Sequence, residues 1–267
     1  MQLVDAHCHF DVPHFEGTRA RELAKARTQG VVAIVLAGVR RADWDRVQSV
    51  AESLPGAWYC LGIHPWFVQE HEPGDLAILE QRLCRRPARC VGLGECGLDR
   101  LRGDLAEQEP WFEQQVVLAT RLRLPLVIHS VKAHDQVAAV LRRRHWSGQA
   151  LVHGFAGSYQ QACRLVGLGC RIGVGGVITH PRAHKTRDAI ARLPVDALVL
   201  ETDAPDMAPA GVERGQNSPA QLPKILAALA ELRGESAEAL APRLLDNACE
   251  LYGWQRQDLG LPDDIGE

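Results

Sequence analysis

Eight short apolar runs alternate with longer stretches of helical spacing along this chain. That alternation limits the fold more than any single motif does. The runs occupy residues 3–9, 31–39, 58–64, 90–95, 125–129, 150–153, 171–174 and 197–202. Helical spacing of apolar residues fills 19–29, 43–53, 76–86, 108–122, 133–144, 159–168, 184–193, 219–232 and 236–251. Gly30, Pro55-Gly56 and Gly169 punctuate the joins. Strands that alternate with helices form a parallel sheet. Eight such units in roughly 250 residues match a (β/α)8 TIM barrel; a doubly wound open sheet is the alternative. No linker or second composition zone interrupts residues 1–267, so the expectation is a single domain. With 267 residues, 46% of them hydrophobic, the chain can bury the core that a barrel needs.

Polar residues at the ends of the runs favour the barrel. His7 and His9 end the first run, His64 the third, Glu95 the fourth, His129 the fifth, His153 the sixth, and Asp203 follows the eighth. Barrels carry their sites at the C-terminal ends of the strands, which converge on one point. In an open sheet the outer strand ends diverge. Period-two alternation puts His7 and His9 on one face and Cys8 on the other, with Asp5 on the histidine face, where it could orient a ligand. Any one of these histidines could be an ordinary buried residue; the coincidence of the set points to metal. Imidazoles and carboxylates suit Zn, Mn, Fe or Mg alike. Four histidines and two carboxylates exceed what one catalytic ion with an open position takes. They suit two ions about 3.5–4 Å apart that share a carboxylate and a water, and Glu95 is the natural bridge. No lysine ends the fourth run, which argues against a carbamylated-lysine bridge.

Six motifs then fall into a known order. They are His7-Cys8-His9-Phe10-Asp11, Gly62-Ile63-His64-Pro65, Gly92-Leu93-Gly94-Glu95-Cys96-Gly97-Leu98-Asp99, Val127-Ile128-His129-Ser130, Val152-His153-Gly154-Phe155-Ala156-Gly157-Ser158 and Leu200-Glu201-Thr202-Asp203-Ala204-Pro205. Together they resemble the TatD-type metal-dependent deoxyribonucleases of the amidohydrolase superfamily, over nearly the whole length. Gly173-Val174-Gly175-Gly176, Lys185-Thr186-Arg187-Asp188 and Ala204-Pro205-Asp206-Met207 resemble the YjjV branch of that family. The resemblance implies two divalent ions, Mg, Mn or Zn. One would be held by His7, His9, Glu95 and Asp203 and the other by Glu95, His129 and His153, with His64 beside them or on substrate phosphate. It also implies hydrolysis of DNA phosphodiesters from the 3′ end, by a bridging hydroxide whose proton Asp203 could take. Two departures bear on substrate. Where the family often reads His-Ser-Arg, this chain has His129-Ser130-Val131-Lys132. Where it reads Arg-Asn-x-Pro, this chain has Gln216-Asn217-Ser218-Pro219.

Other residues carry weaker signals. Arg182, Lys185 and Arg187 follow the seventh run, where barrels often bind phosphate, and could clamp a phosphodiester; a solvated helix start is the plain alternative. Trp66 follows His64-Pro65 in a loop and could stack on a base. Phe67 is a second candidate, while Trp111 has core spacing. Arg142-Arg143-Arg144 suits a helix C-terminus, and His14, His71 and His145 suit the surface. A net charge of −3 excludes a basic coat for nucleic acid but not a local basic site. Eight scattered cysteines without a Cys-x-x-Cys pair, no signal-peptide pattern and no apolar run of membrane length give the expectation of a cytoplasmic protein with reduced thiols. DNA or another phosphodiester is the expected partner, with no membrane and no obligate protein partner. The rival functions are a binuclear amidohydrolase or esterase acting on a small molecule, and a metal-binding scaffold without turnover.

Overall fold

The computed structural model describes residues 1–262. Among these, eight parallel strands pair in sequence order: β1 (Leu3–Cys8), β2 (Val31–Gly38), β3 (Ala57–Leu61), β4 (Cys90–Asp99), β5 (Leu126–Val131), β6 (Ala150–Val152), β7 (Cys170–Val174) and β8 (Leu198–Leu200). The helices are α1 (Arg19–Thr28), α2 (Trp44–Ser53), α3 (Gly74–Cys84), α4 (Leu105–Leu122), α5 (His134–Arg143), α6 (Tyr159–Val166), α7 (His184–Arg192), α8 (Leu222–Arg233) and α9 (Ala237–Tyr252). The ring closes between the first and last strands. Asp203 N donates to His7 O at 3.0 Å, and His9 N donates to Ala204 O at 2.8 Å. The Asp5 carboxylate adds to that seam by accepting from the main-chain N–H of Thr202 at 2.8 Å and from its hydroxyl. The fold is therefore the (β/α)8 barrel that the alternation predicts. None of these helices is long and apolar enough to cross a membrane.

Two apolar layers hold the barrel. Strand residues facing outward pack under the helices, with Leu36, Leu61, Leu93 and Ile128 among them. The interior is filled by smaller side chains, including Val4, Ala6, Ala33, Val35, Val127, Leu151 and Val199. They pack against Leu245 and Ala248 of α9, which covers the N-terminal mouth. The Tyr252 hydroxyl at the end of α9 donates to Ala6 O at 2.6 Å. This plug leaves the C-terminal rim as the open end.

Strict alternation fails in β1. Leu3 and Cys8 lie in the outer layer and Val4 and Ala6 in the interior. The β1–β2 register slips between Asp5 and Cys8. The extra residue of such a bulge re-aims the side chains that follow it, so Ala6 and His7 both face inward. Asp5 consequently does not share the histidine face. It acts on the backbone, accepting the His7 N–H at 3.4 Å as well as the Thr202 groups.

Strand ends also differ from the expected bounds. β4 runs past Glu95 to Asp99, because Gly97, Leu98 and Asp99 find partners in His129, Ser130 and Val131 of β5. Three glycines within it hide that extension from propensity. β8 stops at Leu200, and Asp203 sits in the irregular segment that follows with φ +52°, a left-handed conformation that Asp and Asn tolerate best.

Candidate metal centre

Glu95 is the hub of the C-terminal rim, and its two oxygens look in different directions. Oε2 lies 3.5 Å from His7 Nε2 and 3.2 Å from His9 Nε2. Oε1 lies 2.9 Å from His129 Nδ1, 2.7 Å from His153 Nε2 and 3.1 Å from His64 Nε2. Asp203 closes the first half, with Oδ1 at 3.2 Å from His7 Nε2 and 3.5 Å from His9 Nε2. The His7 and His153 rings stack at 3.9 Å and join the halves.

The donor atoms fit a metal. His7 Nε2, Glu95 Oε2, Asp203 Oδ1 and His153 Nδ1 are buried and have no hydrogen-bond partner, although several lie close together. Buried polar atoms are rarely left so. Ligand-bearing groups aimed at a common point produce such an arrangement. Three sets of donor atoms could each surround an ion: His7, His9 and Glu95; His7, His153 and Asp203; and His64, Glu95 and His129.

A hydrogen bond from an unambiguous donor assigns the tautomer of His64. The Trp66 main-chain N–H donates to His64 Nδ1 at 3.1 Å, so a neutral His64 carries its proton on Nε2 and donates it to Glu95. His64 is thus a support for Glu95 rather than a free lone pair. His129 Nε2 lies 3.2 Å from Asp99 Oδ2, which leaves Nδ1 facing Glu95. A carboxylate behind an imidazole fixes its orientation and raises its basicity. Asp99 also accepts the Trp66 indole N–H at 2.6 Å. The sequence reading missed Asp99. Its signal was the same period two that selected the histidines, since 95, 97 and 99 share a face once β4 is known to continue.

Electrostatics divide the imidazoles. Burial, helped by the nearby His153, pulls His7 down to about 4, and burial brings His64 to about 4 as well. For His9, burial is outweighed by the Glu95 carboxylate 3.2 Å away, and the value rises to about 10. For His129, burial is outweighed by hydrogen bonds to Asp99 and Glu95, and it rises to about 9. Burial pushes the carboxyls up, but the surrounding imidazoles win and hold Glu95 well below, and Asp203 below, the usual range. Before loading, His9 and His129 are therefore charged at pH 7. Their contribution to stability is present below the ordinary histidine value and is lost as pH rises toward 9–10. Metal ligation requires neutral imidazole, so loading at pH 7 should release about two protons per chain. Titration calorimetry in buffers of different ionisation heat measures this directly. Release of none would mean that His9 and His129 are not ligands.

The rim opens into a cleft of about 530 Å³, lined on one side by His9, His64, Glu95, His129, His153 and Asp203 and on the other by Trp66, Phe67, Val131, Pro205 and Met207. Its cations are Arg102 and Arg214. Arg102 lies over the Trp66 ring at 4.0 Å, and that ring is 42% exposed. Arg182, Lys185 and Arg187, the sequence candidates for a phosphodiester clamp, are not among the residues that line this cleft. The Arg187 guanidinium turns back onto Ile178 O, and Arg182 and Lys185 stand exposed at the start of α7. Val131 occupies the cleft wall where the family motif has arginine, and Arg214 enters it two residues before Gln216. Cys8 and Cys96 face away, each with its thiol toward a strand carbonyl, Val35 O and Val127 O. Arg143 and Arg144 pair with Glu113 of α4, a surface arrangement.

A closed barrel whose open rim gathers imidazoles and carboxylates around unpartnered donor atoms defines a metal-dependent hydrolase of the barrel class. This chain belongs to the TatD family: the profile described as TatD related DNase matches residues 4–253. It is 43% identical over 253 residues to the uncharacterized metal-dependent hydrolase YjjV of Escherichia coli K12, covering 94% of this chain and 98% of that one. It is 35% identical over 250 residues to the 3′-5′ ssDNA/RNA exonuclease TatD of Pantoea vagans, covering 89% and 94%. The crystal structure of the Escherichia coli YjjV protein superposes with a TM-score of 0.89 over 95% of this chain and 98% of that one.

Proposed function

We propose that this protein hydrolyses phosphodiesters of single-stranded nucleic acid, DNA foremost, from the 3′ end, with two divalent ions sharing Glu95. The observation that carries the two-ion reading is the division of the Glu95 oxygens between two sets of imidazoles. The relative named as a 3′-5′ ssDNA/RNA exonuclease supports the substrate class. His7, His9, Glu95 and Asp203 would hold one ion, and Glu95, His129 and His153 the other. Bound ions of this kind polarise a phosphoryl group and lower the pKa of water. The protein itself orients and takes protons. Asp203, held in the carboxylate form by its imidazole neighbours, accepts the proton of the attacking water. The new P–O bond forms as the bond to the 3′ oxygen breaks. Asp99 and His64 fix His129 and Glu95 through their hydrogen bonds. Trp66 offers an aromatic face beside the scissile position, and Arg102 and Arg214 offer charge to the flanking phosphates.

A panel of single-stranded DNA, duplex DNA, RNA, abasic DNA and small esters, each with Mg, Mn and Zn, tests the reading. Preference for a small uncharged ester over every nucleic acid would replace it with the amidohydrolase alternative. Arg102→Ala and Arg214→Ala should each raise KM on single-stranded DNA and flatten its salt dependence by roughly one phosphate contact, because such contacts release counterions. Arg182→Ala and Lys185→Ala serve as controls with unchanged KM. The reverse pattern would return the clamp to α7.

A further inference from the structure

Glu201 is a wholly buried carboxyl that the reaction described above does not use. It lies in the barrel interior two residues before Asp203 and is 0% exposed. One oxygen, Oε1, accepts the main-chain N–H of Gly154 at 2.5 Å, while Oε2 has no partner. The surrounding backbone makes room for this carboxyl. A Cβ at Gly173 would overlap Glu201 Oε2, and one at Gly175 would stand 3.4 Å from Oε1. β7 thus gives up a side chain at Gly173 to admit a carboxyl that burial alone disfavours, while the Gly175 distance is an ordinary contact. Gly154 directly follows His153 and has φ +55°, a left-handed conformation that glycine adopts freely. That peptide sets the main chain of His153, whose Nε2 stands 2.7 Å from Glu95 Oε1.

We propose that Glu201 is the positioning residue for His153: seated in the niche left by Gly173, it holds the Gly154 peptide and thereby aims the imidazole at the half of the centre shared with Glu95 and His129. The inference rests on the two-ion reading for its effect on metal, and on the Glu201–Gly154 hydrogen bond for its effect on backbone. Glu201 contributes to none of the three donor sets itself, so its role is exerted through the loop after β6.

The test titrates metal-stripped wild type, Glu201→Ala, Glu201→Gln and Gly173→Ala with Mn²⁺ and follows exchange of the Gly154 amide. Glu201→Ala should weaken one of two ions by about 10–100-fold, the usual effect of losing a supporting partner, and should expose the Gly154 amide to exchange. Glu201→Gln keeps an oxygen for the same N–H and should stay within about threefold on both measures. Gly173→Ala displaces the carboxyl from its niche and should reproduce the alanine effect. The double variant should lose less than the sum of the two singles, since its methyl occupies the vacated space. Should Glu201→Ala not fold, Gly173→Ala decides on the same two measures. Unchanged affinity for both ions, with the Gly154 amide protected as in wild type, would overturn the proposal. A wild type that takes up a single ion would sink the two-ion reading instead. Glu201 would then be judged on Gly154 exchange and on the His153 imidazole nitrogen shifts of the metal-free protein.

Discussion

Asp203→Asn should lower kcat by about two orders of magnitude or more, the range expected for loss of a general base, while the melting temperature stays near that of wild type. The substitution removes charge and basicity and little else. Asparagine tolerates the left-handed backbone at this position, where φ is +52°. The main-chain bond from Asp203 N to His7 O, which helps close the barrel, is untouched. The competing role for such a residue is a turn or cap aspartate, whose loss would cost roughly 1 kcal/mol of stability and no rate. The geometry disfavours that role, because Oδ1 makes no hydrogen bond and instead stands 3.2 Å from His7 Nε2. One ion should remain bound through Glu95, His129 and His153. The decisive comparison is kcat under saturating metal beside a melting curve. A variant within a few-fold of wild type would leave the attacking water without its proposed base.

Glu95→Gln should have the larger effect on metal. Wild type is expected to hold about two ions per chain, removable by chelator with loss of activity. Glutamine keeps one oxygen, so it can serve one half of the centre but not both. Ion content should fall to about one or below, and activity should drop by about 10²–10³-fold, the scale of losing one electrostatic stabiliser of developing charge. The Glu95 charge also opposes its imidazole neighbours. Without it, His9 loses the main interaction that raises it while His129 keeps its partner Asp99, so the proton release on loading at pH 7 should shrink toward one. Elemental analysis and calorimetry on protein purified without added metal read both quantities. A variant that retains two ions would remove Glu95 from the bridge.

Much of this centre is legible in the sequence. His7, His9, Glu95, His129, His153 and Asp203 could be grouped because a barrel sends the ends of all its strands to one rim, and run boundaries are visible as abrupt polar residues after apolar stretches. Their convergence needed only the topology, and topology followed from the alternation of runs and helical stretches. The substrate-facing residues were another matter. Arg102 and Arg214 sit in loops whose course depends on what they pack against, and no periodicity marks a loop side chain as facing a cleft. Arg187 looked like a clamp residue, yet its guanidinium turns back to a carbonyl of its own loop.

The sequence alone therefore determined the barrel, the rim and the metal-capable set, since these depend on spacing and on side-chain period, which are local. Tertiary structure decided everything that depends on exact facing. The slip in β1 brings His7 inward beside Ala6 and moves Asp5 to the seam. The continuation of β4 places Asp99 behind His129. The two oxygens of Glu95 separate the imidazoles into halves. A one-residue change of register reverses the face of every following side chain. Such slips are set by pairing with neighbouring strands distant in sequence, so no stretch of chain read by itself contains them.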